Sequence, residues 1–233
     1  MTTALDERVA LLLTRLVSMA DADKLAQEAR LGIKTEGGLG ISIWELRKIA
    51  KEIGTDQALA EALWGTGVRE ARLLAGYLAD PAAISEATIE RWVADFDSWD
   101  LVDQVSDVFL FSPYAKQKIV EWSERPEEFV KRSAFAMIAG LAVYDKAASD
   151  RDFLAYLPII QQAAADERNY VKKAVNWALR NIGKRNLALN AAAIKLAQAL
   201  TEQESKVAQW IGRDALKELQ SAKVQERLRQ RNS

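Results

Sequence analysis

The sequence contains neither cysteine nor histidine. Without cysteine there are no disulfides, thiol nucleophiles or thiolate metal sites. Without histidine there is no Ser-His-Asp triad, no imidazole general base and none of the common zinc sets. Chemistry in this chain has to run on carboxylates, amines, hydroxyls, aromatic rings or the backbone, and no cofactor or metal is expected. Proline is scarce, with four residues at 81, 113, 126 and 158. No stretch approaches the roughly 18 to 20 uncharged apolar residues of a membrane span. The Leu11–Leu13 cluster is interrupted by Asp6, Glu7, Arg8 and Arg15, so it does not read as a targeting signal. A soluble, cytoplasmic protein is expected.

What is present is a helical alphabet. Of 233 residues, 49% are hydrophobic and 28% charged, with 32 basic and 33 acidic side chains for a net charge of -1. A uniformly basic coat is thereby excluded, although a local basic face is not. Between the prolines, apolar residues recur at helical spacing and no alternating β-branched run appears, which predicts an all-α protein. The stretch Leu31–Gly40 reads as a loop, Gly-rich over about 32–40. A phosphate-loop reading is disfavoured because no strand precedes it and no Gly-Lys-Ser/Thr follows. The next helix is expected over Ser42 to Ile53.

Four segments resemble one another: VREARLLAGYL from Val68, VKRSAFAMIAGL from Val130, VKKAVNWALRNI from Val171 and IGRDALKEL from Ile211. Val130 to Val171 is 41 residues and Val171 to Ile211 is 40, whereas Val68 to Val130 is 62 and holds a further helix. Periods near 40 with two or three helices each indicate HEAT-like repeats, a helical solenoid with a concave binding surface. One repeat domain over 1–233 is expected, with a C-terminal tail at about 222–233 open to disorder.

Charge is unevenly placed. Residues 1–110 are net -8 and residues 111–233 net +7. From Arg168 to Arg185 there are six bases (Arg168, Lys172, Lys173, Arg180, Lys184, Arg185) and no acid. Two positions past each well-spaced repeat start stands a cation: Arg132, Lys173 and Arg213. Stacked repeats would align these three into a ladder suited to a polyanion. A solvated face with mixed charges is the competing reading, and the sequence leaves the two even.

On the helix after Ser98, Leu101, Val102, Val105, Val108 and Phe109 fall within about 120° of arc and mark the buried stripe. Trp99 and Asp103, four residues apart, share a face about 160° from that stripe. On the helix from Val171 the stripe is Val171, Ala174, Val175, Ala178, Leu179 and Ile182, and Trp177 sits about 140° away. On the helix from Val130, Arg132 lies about 180° from Val130, Ala134, Met137, Ile138 and Leu141. These four off-core residues are expected to converge on the concave face. Indole faces attract a flat cation, a carboxylate stabilises developing positive charge, and bases hold phosphates. Alkylated DNA, a cationic base on a polyanionic backbone, has all three properties. The competing reading packs each Trp against a neighbouring repeat and pairs Asp103 with a base. The acids Asp95, Asp97, Asp100 and Asp103 also admit a metal-dependent nuclease, although capping of the helix by Asp97 or Asp100 is the simpler account.

The segments DSWDLVDQVSDVFL (Asp97–Leu110), EEFVKRSAFAMIA (Glu127–Ala139), ERNYVKKAVNWALRNIGKRN (Glu167–Asn186) and GISIWELRKIAKEI (Gly40–Ile53) resemble the AlkD-like DNA alkylation-repair family in collinear order, over about residues 30–220. The resemblance implies a HEAT-like solenoid that cradles duplex DNA. It also implies a monofunctional glycosylase that releases cationic N-alkylated purines, 3-methyladenine and 7-methylguanine, with the lesion left stacked. By motif, Asp103 matches the catalytic carboxylate, Trp99 and Trp177 the aromatic pair at the lesion, and Arg132 a phosphate-contacting arginine. Lys172, Lys173, Arg180, Lys184, Arg185 and Arg213 are the further phosphate-binding residues expected. The partner is double-stranded DNA, the chain a monomer, and its place the nucleoid when acting. The alternative is a non-catalytic HEAT-like adaptor binding DNA backbone or a protein.

Overall fold

Short polar residues start the helices. In the computed structural model, which describes residues 3–232, the side chains of Thr3, Asp21, Ser42, Asp56, Ser85, Asn186 and Ser205 each accept a backbone N–H three residues on. This capping satisfies donors that a helix cannot pair internally. The described residues form fourteen α-helices and no strand: α1 (Ala4–Ser18), α2 (Ala22–Arg30), α3 (Ile43–Ile53), α4 (Gln57–Trp64), α5 (Arg69–Leu78), α6 (Glu86–Ala94), α7 (Trp99–Leu110), α8 (Ala115–Ser123), α9 (Glu128–Tyr144), α10 (Asp150–Ala163), α11 (Asn169–Gly183), α12 (Leu187–Thr201), α13 (Lys206–Leu219) and α14 (Ala222–Asn232). None of them is long and apolar enough to cross a membrane. Residues 1, 2 and 233 lie outside the described residues.

The chain divides into two compact units, Met1–Ala115 and Lys116–Ser233. In the first, α5 packs on α3, α4 and α7, and α1 on α4. Its core holds an aromatic cluster in which Trp64 and Trp92 stack with centroids 4.3 Å apart, and Phe96 and Phe109 adjoin them. Trp64 donates through Nε1 to Asp95 at 2.7 Å.

In the second unit α9, α11 and α13 are equivalent helices of successive repeats, with α10, α12 and α14 as their partners. The period is written in the side-chain hydrogen bonds. Tyr170 N–H donates to Glu128, Asn176 to Asp214, Arg180 to Glu218 and Asn181 to the Ala139 carbonyl, each joining residues 38 to 42 apart in sequence. Apolar stripes on α7, α9 and α11 are buried as the helical spacing predicts. Burial on α9 goes further, covering every residue from Arg132 to Ala142, because neighbours pack on more than one side. Residues 222–232, a tail open to disorder in the sequence reading, form α14, which buries Val224 and Leu228.

Candidate functional site

The start of α7 is held by a buried ionic cluster. Arg69 on α5 donates to Asp100 on α7, to Glu28 on α2 at 3.2 Å and to Glu70 at 2.9 Å. Ser98, the N-cap residue, makes no side-chain cap bond and instead donates through Oγ to Asp100 at 2.5 Å. Neither acid proposed as a cap serves as one: Asp100 is a buried partner of Arg69, and Asp97 pairs with Lys34 at 2.9 Å. Asp95 accepts from Trp64 and Arg72. Of the four acids read as potential metal ligands, these three are therefore each bound to a different cation.

Glu70, fully buried, accepts the backbone N–H groups of Leu39 and Gly40 at 2.9 and 3.0 Å. The Gly-rich loop thus turns its amides onto a carboxylate, the opposite of cradling a phosphate. Gly40 has φ +71°, and a Cβ there would lie 2.2 Å from the Asp21 carbonyl oxygen, so only glycine fits. Trp99 leans on the same structure, its Nε1 donating to the Leu31 carbonyl at 3.2 Å.

Trp99 and Asp103 follow one another by one turn on α7, and both are half-buried. One turn further lies Asp107, which the sequence reading passed over, although two acids at i and i+4 are a visible signal. Burial pushes the Asp107 carboxyl up to about 6, with Arg47 opposing and the Asp103 charge reinforcing the shift. Between them Gln104 accepts from the Tyr77 hydroxyl at 2.6 Å and from Arg47 at 3.1 Å, and the Arg47 guanidinium lies 5.4 Å from the centre of the Tyr77 ring.

A carboxyl whose folded value is raised binds its proton more tightly in the native state. The cost of ionising it is absent below about pH 4 and complete above about pH 6. Asp107→Asn is therefore expected to raise stability at pH 8 by about 1 to 2 kcal/mol, allowing for the solvent that still reaches the group, and hardly at all at pH 4. Thermal denaturation at the two values checks this; an equal shift at both would remove ionisation as the cause.

In the second unit Arg132 is 6% exposed and donates through Nη1 to the Tyr170 carbonyl at 2.7 Å. Trp177 is half-buried on α11, seven residues beyond Tyr170, which is about 10 Å along the axis. The ladder positions differ: Arg132 is covered, whereas Lys173 and Arg213 are exposed. Lys172 lies 5.9 Å from the centre of the exposed Trp210 ring. Arg180 is held by Asp214 and Glu218, Lys184 by Glu218, and Arg168 by Asp166. Arg168 and its neighbours hold the Asp166 carboxyl down to about 2. Arg185 donates to the carbonyls of Leu141, Ala142, Asp145 and Ala148. Half of the six-base cluster is thus engaged with acids, two of them lying one repeat further on.

A family model described as DNA alkylation repair enzyme matches residues 12–219. A solved structure from a family described as related to the HEAT-like repeat DNA glycosylases, with affinity for branched DNA structures, superposes with a TM-score of 0.74. It is 21% identical, with 88% of this chain and 93% of that one covered. The fold is therefore the HEAT-like helical repeat. An engineered protein, 13% identical over 94% of this chain and all of that one, reaches a TM-score of 0.37, too low to indicate a shared fold. Among curated proteins none matches significantly.

Proposed function

Because the chain belongs to the DNA alkylation repair enzyme family, we propose that it is a monofunctional glycosylase releasing cationic N-alkylated purines from duplex DNA. The observation that carries this reading is Trp99 and Asp103 on one half-exposed face of α7, opposite its apolar stripe. A cationic purine is already a good leaving group, so no acid is needed to protonate it. As the glycosidic bond stretches, positive charge moves to the sugar. Asp103 stabilises that charge and orients the attacking water. Trp99 and Trp177 offer the negative faces of their indoles to the electron-poor sugar and base. Arg132 and the cations Lys172, Lys173, Arg180, Lys184, Arg185 and Arg213 hold phosphates. Lys173 and Arg213 are the most exposed of these, so their contacts displace the fewest internal bonds.

The test is release of free 7-methylguanine and 3-methyladenine from methylated duplex, read by chromatography against a no-protein control. Release supports the reading, and its absence at saturating protein overturns it. A second reading, DNA binding without excision, draws on the branched-DNA affinity described for the structural relative. It expects a four-way junction to bind tighter than linear duplex while no base is freed.

Affinity for undamaged duplex is expected to fall steeply with salt. Replacing Lys172 and Lys173 together by Ala should make the slope of log affinity against log salt shallower by about 1.8, two phosphate contacts' worth. An unchanged slope would show that neither lysine meets a phosphate.

A further inference from the structure

At the far end of the same helices, the last carbonyls of α9 form the negative pole of a 17-residue helix. Arg185, just past α11, donates to the Leu141 and Ala142 carbonyls of that last turn and to the Asp145 and Ala148 carbonyls beyond it, and its guanidinium lies over the Phe153 ring at 4.1 Å. With the carbonyls satisfied, the surface beside them is not negative. It is a cleft of about 530 Å³ whose charged and amide lining is Lys146, Lys184, Arg185, Arg227, Asn181 and Asn186, with no carboxylate among the described lining residues.

The charges in this cleft differ in availability. Lys184 shares its charge with Glu218 at 2.8 Å, and Asn186 donates to Asp150 at 2.7 Å. Lys146, just past α9, donates to the Val143 carbonyl, and neither it nor Arg227, on α14, makes an ion pair with any described residue. Of the four cations around the concavity, Lys184 is paired with a carboxylate and Arg185 is spent on carbonyls, which leaves Lys146 and Arg227. Lys172 and Lys173, in the first turn of α11, are about 18 Å away along the helix axis from Lys184.

We propose that this cleft is a binding site for a phosphate group. The Lys146 ammonium and the Arg227 guanidinium, lining a cleft whose other donors already hold their own partners, suit a tetrahedral oxyanion. The volume exceeds what a bare phosphate needs and falls in the range of ligand sites, so the phosphate arrives on an ester, either a small phosphorylated compound or a nucleic-acid backbone. The cleft shares Lys184 and Arg185 with the cations proposed above to hold DNA phosphates, so its test varies only Lys146 and Arg227, which that reading does not use.

The probe is inorganic phosphate added to the ¹⁵N-labelled full chain at constant ionic strength, with chloride as the control. Saturable shifts of the Asn181 and Asn186 side-chain amides are expected at millimolar phosphate. Binding should weaken about tenfold or more in the Lys146→Ala, Arg227→Ala double variant. Both residues are exposed, so this variant should keep the wild-type melting temperature. Repeating the titration on the complex with unmethylated duplex separates the sources. Loss of the phosphate response identifies a backbone phosphate as occupant, and an unaltered response identifies a free phosphorylated compound. Shifts no larger than with chloride, or unchanged in the double variant, overturn the proposal. Base release by the same double variant on saturating DNA is expected at the wild-type rate.

Discussion

Asp103→Asn is expected to slow release of 7-methylguanine about a hundred- to a thousandfold, the scale on which one preorganised electrostatic group acts. The change keeps the volume, removes the charge and turns one accepting oxygen into an NH2 donor. It leaves Leu101, Val102, Val105, Val108 and Phe109, the buried stripe of α7, untouched, so the melting temperature should hold. DNA affinity should stay level or rise slightly, since a carboxylate facing phosphates opposes binding. Chromatographic base release with an anisotropy titration reads both quantities. Activity that survives moves the catalytic group elsewhere, whereas lost binding would make Asp103 a structural residue. The combination expected from the proposed mechanism is lost chemistry with retained binding.

Arg69→Met should have the largest effect on stability. The side chain is 9% exposed and lies among Glu28, Glu70 and Asp100. Removing the one cation leaves three carboxylates in a space that water barely reaches, a loss of about 3 to 5 kcal/mol. Against a typical domain stability of about 5 to 15 kcal/mol, that approaches unfolding. The pH dependence has a defined sign. Burial already pushes the Glu28 carboxyl up, with Arg69 opposing, and without Arg69 the rise grows. A raised carboxyl loses stability as pH climbs through its value, so the variant should recover towards pH 4. Urea midpoints at pH 4.5 and 8 measure this, and equal losses at both would mean the damage is packing alone. Because Glu70 also pins Leu39 and Gly40, the variant loosens the segment on which Trp99 leans.

Much of this was legible in sequence. Helical spacing located the buried stripes of α7, α9 and α11 because each is a property of one helix. The interval Val130–Val171 falls at the third residue of both α9 and α11, and Ile211 lies on α13, because each repeat reuses one packing solution. What escaped depends on neighbours. Arg132 lies opposite the stripe on its own helix, yet it is covered, because α11 supplies a carbonyl to it. The six bases from Arg168 to Arg185 look unopposed in a linear count. Asp214 and Glu218, which hold Arg180 and Lys184, stand a whole repeat later in the chain. Asp100 sits at a capping position by number but faces Arg69, 31 residues earlier.

The hydrogen bonds that leap about forty residues in the second unit bear on how such a chain can change over generations. Asn176 and Arg180 reach forward to Asp214 and Glu218, while Asn181 reaches back to Ala139. Every rung is fastened to the next by complementary side chains rather than to a distant centre. Deletion of one whole rung would leave Asp214 and Glu218 without Asn176 and Arg180, unless the rung brought next to them supplied donors at the same positions. Lengthening or shortening in whole periods therefore asks for matching donors and acceptors at the new junction.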